Sequence, residues 1–168
     1  MTLSRAQRWL CNITTTPLLA RRHFPAAVLQ DIEAAVTAAE ARHAGEIRVV
    51  IEAALDLPAL WANQTPRERA LEVFSMFGVW DTADNNGVLI YLLLAEHDVE
   101  IIADRGVAAR VPVEEWQQVC HEMETEFRAG RFREGAIAGV EGVAQLLGRH
   151  FPQQRGDRNE QPNRPILL

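Results

Sequence analysis

The run Gly87-Val88-Leu89-Ile90-Tyr91-Leu92-Leu93-Leu94 constrains this chain more than any other feature. It is too short to cross a bilayer, which takes about 20 apolar residues. It also lacks the polar alternation of a strand with one wet face. Flanked by Asn86 on one side and Glu96-His97-Asp98 on the other, it reads as a β-strand buried on both faces, hence the centre of a sheet covered by helices.

The neighbouring segments supply the rest of that architecture. Glu46-Ile47-Arg48-Val49-Val50-Ile51-Glu52 alternates around β-branched residues and is a second strand; Val99-Glu100-Ile101-Ile102-Ala103 is a third. Only a polar turn separates the central strand from the third, so these two form an antiparallel hairpin. Between the Glu46 strand and the central one, Thr65-Pro66-Arg67-Glu68 carries a helix start: Thr65 as N-cap, Pro66 first in the helix, Glu68 closing a capping box. This helix runs to near Gly78 with Leu71, Phe74 and Phe77 expected on its buried side. A strand-helix-strand crossover makes the two strands parallel where they share a sheet.

Val28, Ile32, Val36 and Ala39 mark a helix from Ala26. Val113, Trp116, Cys120, Met123 and Phe127 mark another after Pro112, ended by Gly130. Ile137, Val140, Ala144 and Leu147 mark the last. The order helix, strand, helix, strand, strand, helix, helix predicts an α/β fold, a three-layer α/β/α sandwich with a small mixed sheet. Residues 1–24, with Arg5, Arg8, Arg21, Arg22 and no acid, read as a basic arm, partly helical over 3–11 and solvated. The folded domain spans 25–151, and the Pro-, Gln-, Asn- and Arg-rich segment 152–168 reads as a disordered tail.

At 168 residues and 48% hydrophobic, the chain has a core large enough to need no staple. Its net charge of −6 is carried by the domain body, because the arm is basic. An acidic body excludes bulk nucleic-acid binding, which relies on basic residues neutralising phosphates. Cys11 and Cys120 have no metal or redox spacing and read as free thiols. Cys11 to Thr16 interrupts any signal-peptide core, and the absence of a long apolar run excludes a transmembrane segment, so a soluble cytoplasmic protein is expected.

One place gathers chemistry. With residues 95–98 as the turn, Leu94 faces Val99, Leu89 faces Asp104 and Gly87 faces Gly106. The loop Asp81-Thr82-Ala83-Asp84-Asn85-Asn86 then lies beside Asp104-Arg105, and a parallel first strand brings Glu46 to the same rim. Asp81, Asp84, Asn85, Asn86, Asp104 and Glu46 form a candidate ligand set for a hard cation, Ca²⁺ or Mg²⁺, with Arg105 balancing charge. The competing reading is structural, since Asp, Asn and Gly are ordinary turn formers. Zinc is not expected: His23, His43, His97, His121 and His150 are scattered. Trp61 and Trp80 flank the second helix and are expected to pack.

Several of these stretches carry a resemblance. Gly45-Glu46-Ile47-Arg48-Val49-Val50, Asn85-Asn86-Gly87-Val88-Leu89-Ile90 and Val99-Glu100-Ile101-Ile102-Ala103-Asp104-Arg105-Gly106 look like the TPM domain family, as does Phe127-Arg128-Ala129-Gly130-Arg131-Phe132-Arg133-Glu134-Gly135. The likeness covers roughly residues 26–148. That domain is shared by a thylakoid-lumen acid-phosphatase-like protein, a photosystem II repair protein and a nematode acetylcholine-receptor modulator. The resemblance implies an α/β/α sandwich, a divalent-ion site and, for some members, phosphatase activity. By position it points to Asp84, Asn85, Asn86, Asp104 and Arg105, whereas Glu46 and Asp81 come from the strand geometry above. Many members are exported or membrane-anchored, and this sequence shows neither a signal peptide nor a C-terminal transmembrane helix.

Two functions are expected from this reading. The favoured one is a non-catalytic, ion-binding interaction or assembly module for a membrane-protein complex, with its protein partner at or near a membrane. The alternative is a metal-dependent phosphatase-like hydrolase of phosphomonoesters. Lipid contact through residues 1–24 is a weaker expectation than a solvated arm.

Overall fold

The computed structural model of the chain describes residues 3–153 and 159–168. Its central strand, β2 (Gly87–Leu93), is buried at all seven positions, as an apolar run without alternation requires. It pairs in parallel with β1 (Glu46–Glu52), Glu46 beside Gly87 and Glu52 beside Leu93. On its other side it pairs antiparallel with β3 (Asp98–Ala103). A fourth strand, β4 (Ile166–Leu167), lies parallel to β1, giving the order β3-β2-β1-β4.

Helices cover both faces, forming an α/β/α sandwich. On one face α3 (Ala26–Glu40), α7 (Val113–Arg128) and α8 (Phe132–His150) bury Ile47, Val49, Ile51, Val88, Ile90 and Leu92. On the other, α4 (Leu57–Trp61) and α5 (Pro66–Met76) cover Val50, Leu89, Tyr91, Leu93 and Ile102. The period of two along β1 and β2 therefore sorts each strand's side chains into two cores. Short helices α1 (Arg5–Thr14), α2 (Pro17–His23) and α6 (Arg105–Ala108) complete the chain.

Local signals mostly act as their chemistry demands. Thr65 and Glu68 form the reciprocal capping box, with Pro66 opening α5. The buried stripe of that helix is displaced from the expected one. Ala70 and Val73 face the core, Phe74 and Phe77 pack at its edge, and Leu71 is 48% exposed. Ala70, Val73, Phe74 and Phe77 share one helical face by i, i+3, i+4, i+7 spacing, and Leu71 stands about 100° away from Ala70. Trp61 and Trp80 are also exposed rather than packed away.

The hairpin register differs from the sequence reading by two residues. Leu92, not Leu94, faces Val99, and Leu89 faces Ile102. Leu94–Glu96 coil into a 3-10 turn and His97 adopts a left-handed conformation (φ 49°), which lengthens the connection at the expense of both strands. A shift of two preserves which face each side chain takes. At the far end the Asp104 amide donates to Gly87 O at 2.9 Å, so Asp104, not Gly106, stands opposite Gly87.

Two terminal expectations also change. The N-terminal segment is not a solvated arm, because α1 docks through Arg8 and Asn12. Nor is the tail free where it is described. Residues 159–168 lie along the β1 edge and end in β4, while the rest of the expected disordered stretch, 154–158, is outside the described residues. Two buried charged groups on β1 hold this segment. The Glu46 carboxylate accepts from the Glu160 and Gln161 amides, both at 3.1 Å. Arg48, 8% exposed, donates to the carbonyls of Pro162 and Arg164.

Candidate functional site

The parallel β1–β2 pairing and the β2–β3 hairpin bring three chain segments to one rim of the sheet. The loop before β2 is built by its own turn chemistry. The Thr82 hydroxyl accepts from the Asn86 amide at 3.1 Å, and Thr82 O accepts from the Asn85 amide at 3.3 Å. Asn85 takes a positive φ of 52°, a conformation that asparagine tolerates better than most residues.

Glycines let this loop meet its neighbours at close range. A Cβ on Gly87 would lie 1.9 Å from Val79 O. One on Gly106 would lie 2.5 Å from Asn85 O and 3.0 Å from Asp84 O. The carbonyls of the loop are thus pressed directly against the start of α6. Arg105 locks the same junction, its Nε donating to Asn85 Oδ1 at 2.9 Å.

Each predicted site residue has a definite place. Asp104 caps α6, with Oδ1 accepting from the Arg105 amide at 2.7 Å, while Oδ2 is buried and has no hydrogen-bond partner among the described residues. Asn86, 2% exposed, donates through Nδ2 to Ala44 O, and its Oδ1 is likewise buried without a partner. Asp81 and Asp84 are exposed. Asn85 is engaged by Arg105. Glu46 reaches the rim as expected, but its carboxylate is committed to the tail amides.

The tail also reaches the loop. The Glu160 carboxylate accepts from the Ala83 amide at 3.3 and 3.2 Å, and Gln161 Nε2 donates to Gly78 O at 3.0 Å. Behind the rim, His43 is 1% exposed and accepts from the Gly45 amide through Nδ1. Burial holds its pKa down to about 4, so the ring is neutral. Among the described residues no three His, Cys, Asp or Glu side chains gather as a metal cluster. Any cation at the rim must therefore draw on amide and carbonyl oxygens and water as well as carboxylates, a mixture that hard cations accept.

A second polar constellation at the opposite end of the strands escaped the sequence reading. Tyr91 donates from its hydroxyl to Glu52 Oε2 at 2.6 Å. Arg69 grips the same carboxylate with Nε at 3.0 Å and Nη2 at 2.9 Å, and reaches Glu72 at 3.1 Å. Burial, then the Glu52 charge, pushes the Tyr91 phenol well above its ordinary range, so it stays a donor. The signal was present: Tyr91 is the one polar side chain in an aliphatic strand, and its hydroxyl needs a partner there.

The family model for the TPM domain matches residues 22–146, most of the chain. The chain belongs to the TPM domain family. Among solved structures, this TPM domain is similar to the BA42 protein of the psychrophilic bacterium Bizionia argentinensis. The TM-score is 0.75 at 28% identity, over 85% of this chain and 94% of that one. It also shares the fold of the N-terminal domain of a protein from P. gingivalis, with a TM-score of 0.60 at 23% identity, over 77% of this chain and 82% of that one. No curated protein matches it. Among the described residues of this TPM domain, no helix is long and apolar enough to cross a membrane.

Proposed function

We propose that the rim formed by the 81–86 loop and Asp104 holds a divalent cation, Ca²⁺ or Mg²⁺, and that this TPM domain serves as a non-catalytic ion-binding module in the assembly of a membrane-protein complex. The observation that carries the reading is the pair of buried acceptors without partners among the described residues, Asp104 Oδ2 and Asn86 Oδ1. Leaving an anionic oxygen buried and unpaired is costly, and a cation removes that cost. The exposed carboxylates of Asp81 and Asp84 on the same loop add negative charge where the ion would enter. Glu46 and Asn85 contribute through the scaffold, the first by anchoring the tail and the second by holding Arg105.

The donor set favours holding an ion over transforming a substrate. The rim offers acceptor oxygens, and the Arg105 guanidinium is already spent on the loop. Calorimetry with Ca²⁺ and Mg²⁺, followed by an aryl-phosphate assay, tests the ion site and the absence of catalysis. Binding heat without turnover is expected, with affinity lowered about tenfold or more in Asp104→Ala and Asp84→Ala while circular dichroism stays unchanged. Turnover that disappears in both variants would move the domain to the hydrolase reading. No heat with either ion would remove the site.

A further inference from the structure

We propose that the face built from α1, α2 and α4 docks on an anionic lipid surface. Helix α1 is amphipathic, but it is mounted the wrong way round for a core helix. Beside Trp9, which packs at the edge of the core under α4 and α5, polar groups face inward: Arg8 Nε bonds both Glu96 oxygens at 2.9 Å, Arg8 Nη2 donates to Gln64 O at 2.7 Å, and Asn12 bonds Glu96 and the Leu55 amide at 3.0 and 2.8 Å. Its apolar side, Leu10 and Ile13 at i, i+3, faces solvent at 64% and 61% exposure. A globular helix ordinarily buries that stripe.

Helix α2 follows α1 in the chain, and it and α4 expose further apolar groups. Leu18 of α2 is 77% exposed, and Trp61 of α4 is 71% exposed with its ring 5.1 Å from that of Trp9. Arg5, Arg21 and Arg22 are exposed, Arg21 and Arg22 lining one surface hollow with Leu18 and Leu19, and residues 3–24 contain no acid; the acid on this side is Asp56, which caps α4. Exposed leucine, isoleucine and tryptophan interleaved with arginine are the composition of a surface that lies in a membrane interface. Charge selects the occupant, because the rest of the chain is acidic and an anionic bilayer repels it while attracting this face. Helix α1 bonds Glu96 in the turn after β2, and α4 follows the end of β1, so these two elements lie at the end of the strands opposite the 81–86 loop, which precedes β2. The inference does not depend on the ion site.

Sedimentation of the whole chain with phosphatidylcholine vesicles, with and without phosphatidylglycerol, tests it. Binding is expected only when phosphatidylglycerol is present. It should weaken about tenfold or more in Arg21→Gln/Arg22→Gln, from the loss of two surface charges, and comparably in Leu10→Ser/Leu18→Ser. Because all four side chains are exposed, both variants should keep the wild-type melting curve. Trp61 fluorescence should shift to the blue on vesicles carrying phosphatidylglycerol and not on phosphatidylcholine alone. Equal retention on both vesicle types would overturn the proposal. So would a wild-type dimer in the absence of lipid that Leu10→Ser/Leu18→Ser turns into a monomer, since the face would then join two copies of the chain.

Discussion

Asp98 opens β3 opposite Leu93, with Oδ1 sealed from solvent and no hydrogen-bond partner among the described residues. Burial, reinforced by Glu100, Glu124 and Glu96, pushes its carboxyl up to about 7. In the unfolded chain it titrates near the ordinary value of 3.8. Between those values the folded protein keeps a proton that the unfolded chain releases, so stability falls as pH rises through this window and levels off above 7. Asp98→Asn removes the charge while keeping the shape. The variant should match wild type near pH 4 and become more stable as pH rises, by on the order of 2 kcal/mol at pH 8, a figure reduced from the full shift because part of the side chain meets solvent. Urea titrations across this range measure the difference, and a gain that does not grow between pH 4 and pH 7 contradicts the account.

At the scale of elements, β4 is the least expected part of the sheet and the one most open to test. Pro165 is buried, Ile166 and Leu167 pack against opposite cores, and Leu168 donates to Ile51 O at 2.8 Å. A chain ending after residue 158 loses this burial and is expected to lose about 3 kcal/mol of stability. The Ala53 amide, which now bonds Leu168 O at 3.4 Å, should exchange faster with deuterium while the amides of β2 stay protected. Unchanged protection at Ala53 would mean that β4 adds nothing to the edge. The sequence could not announce this strand. Two residues carry no period, and the segment before them is polar, since what binds it is its backbone meeting Glu46 and Arg48. By contrast β1, β2, α5 and the long helices were legible, because each has a period, a cap or a run long enough to exclude alternatives. The rim was legible for the same reason: the parallel pairing and the hairpin alone bring Asp84 and Asn86 beside Asp104. The hairpin register was not, because a left-handed His97 leaves no compositional mark. Nor was the fate of Glu46, since its partners come from a segment that looked unstructured.

At the scale of the molecule, two hydrophobic cores share one sheet. Trp116 belongs to the core under α3, α7 and α8, while Trp9 packs at the edge of the core under α4 and α5. Neither core has a strand of its own. Successive residues of β2 feed alternate faces, Ile90 and Leu92 one, Leu89 and Tyr91 the other. Removing the helices from one face would expose half of every central strand, so partial unfolding costs nearly as much as complete unfolding. The chain should therefore unfold in one cooperative step. The test uses two variants, one keeping only Trp116 and one keeping only Trp9. In each, the urea midpoint from fluorescence should coincide with the midpoint from far-ultraviolet circular dichroism. Trp9 is part of α1, which is tied to the domain by the polar grip of Arg8 and Asn12, so its variant is the stricter of the two. An earlier fluorescence transition there, with the Trp116 variant still coincident, would mean that α1 and its outward apolar face detach before the sheet does.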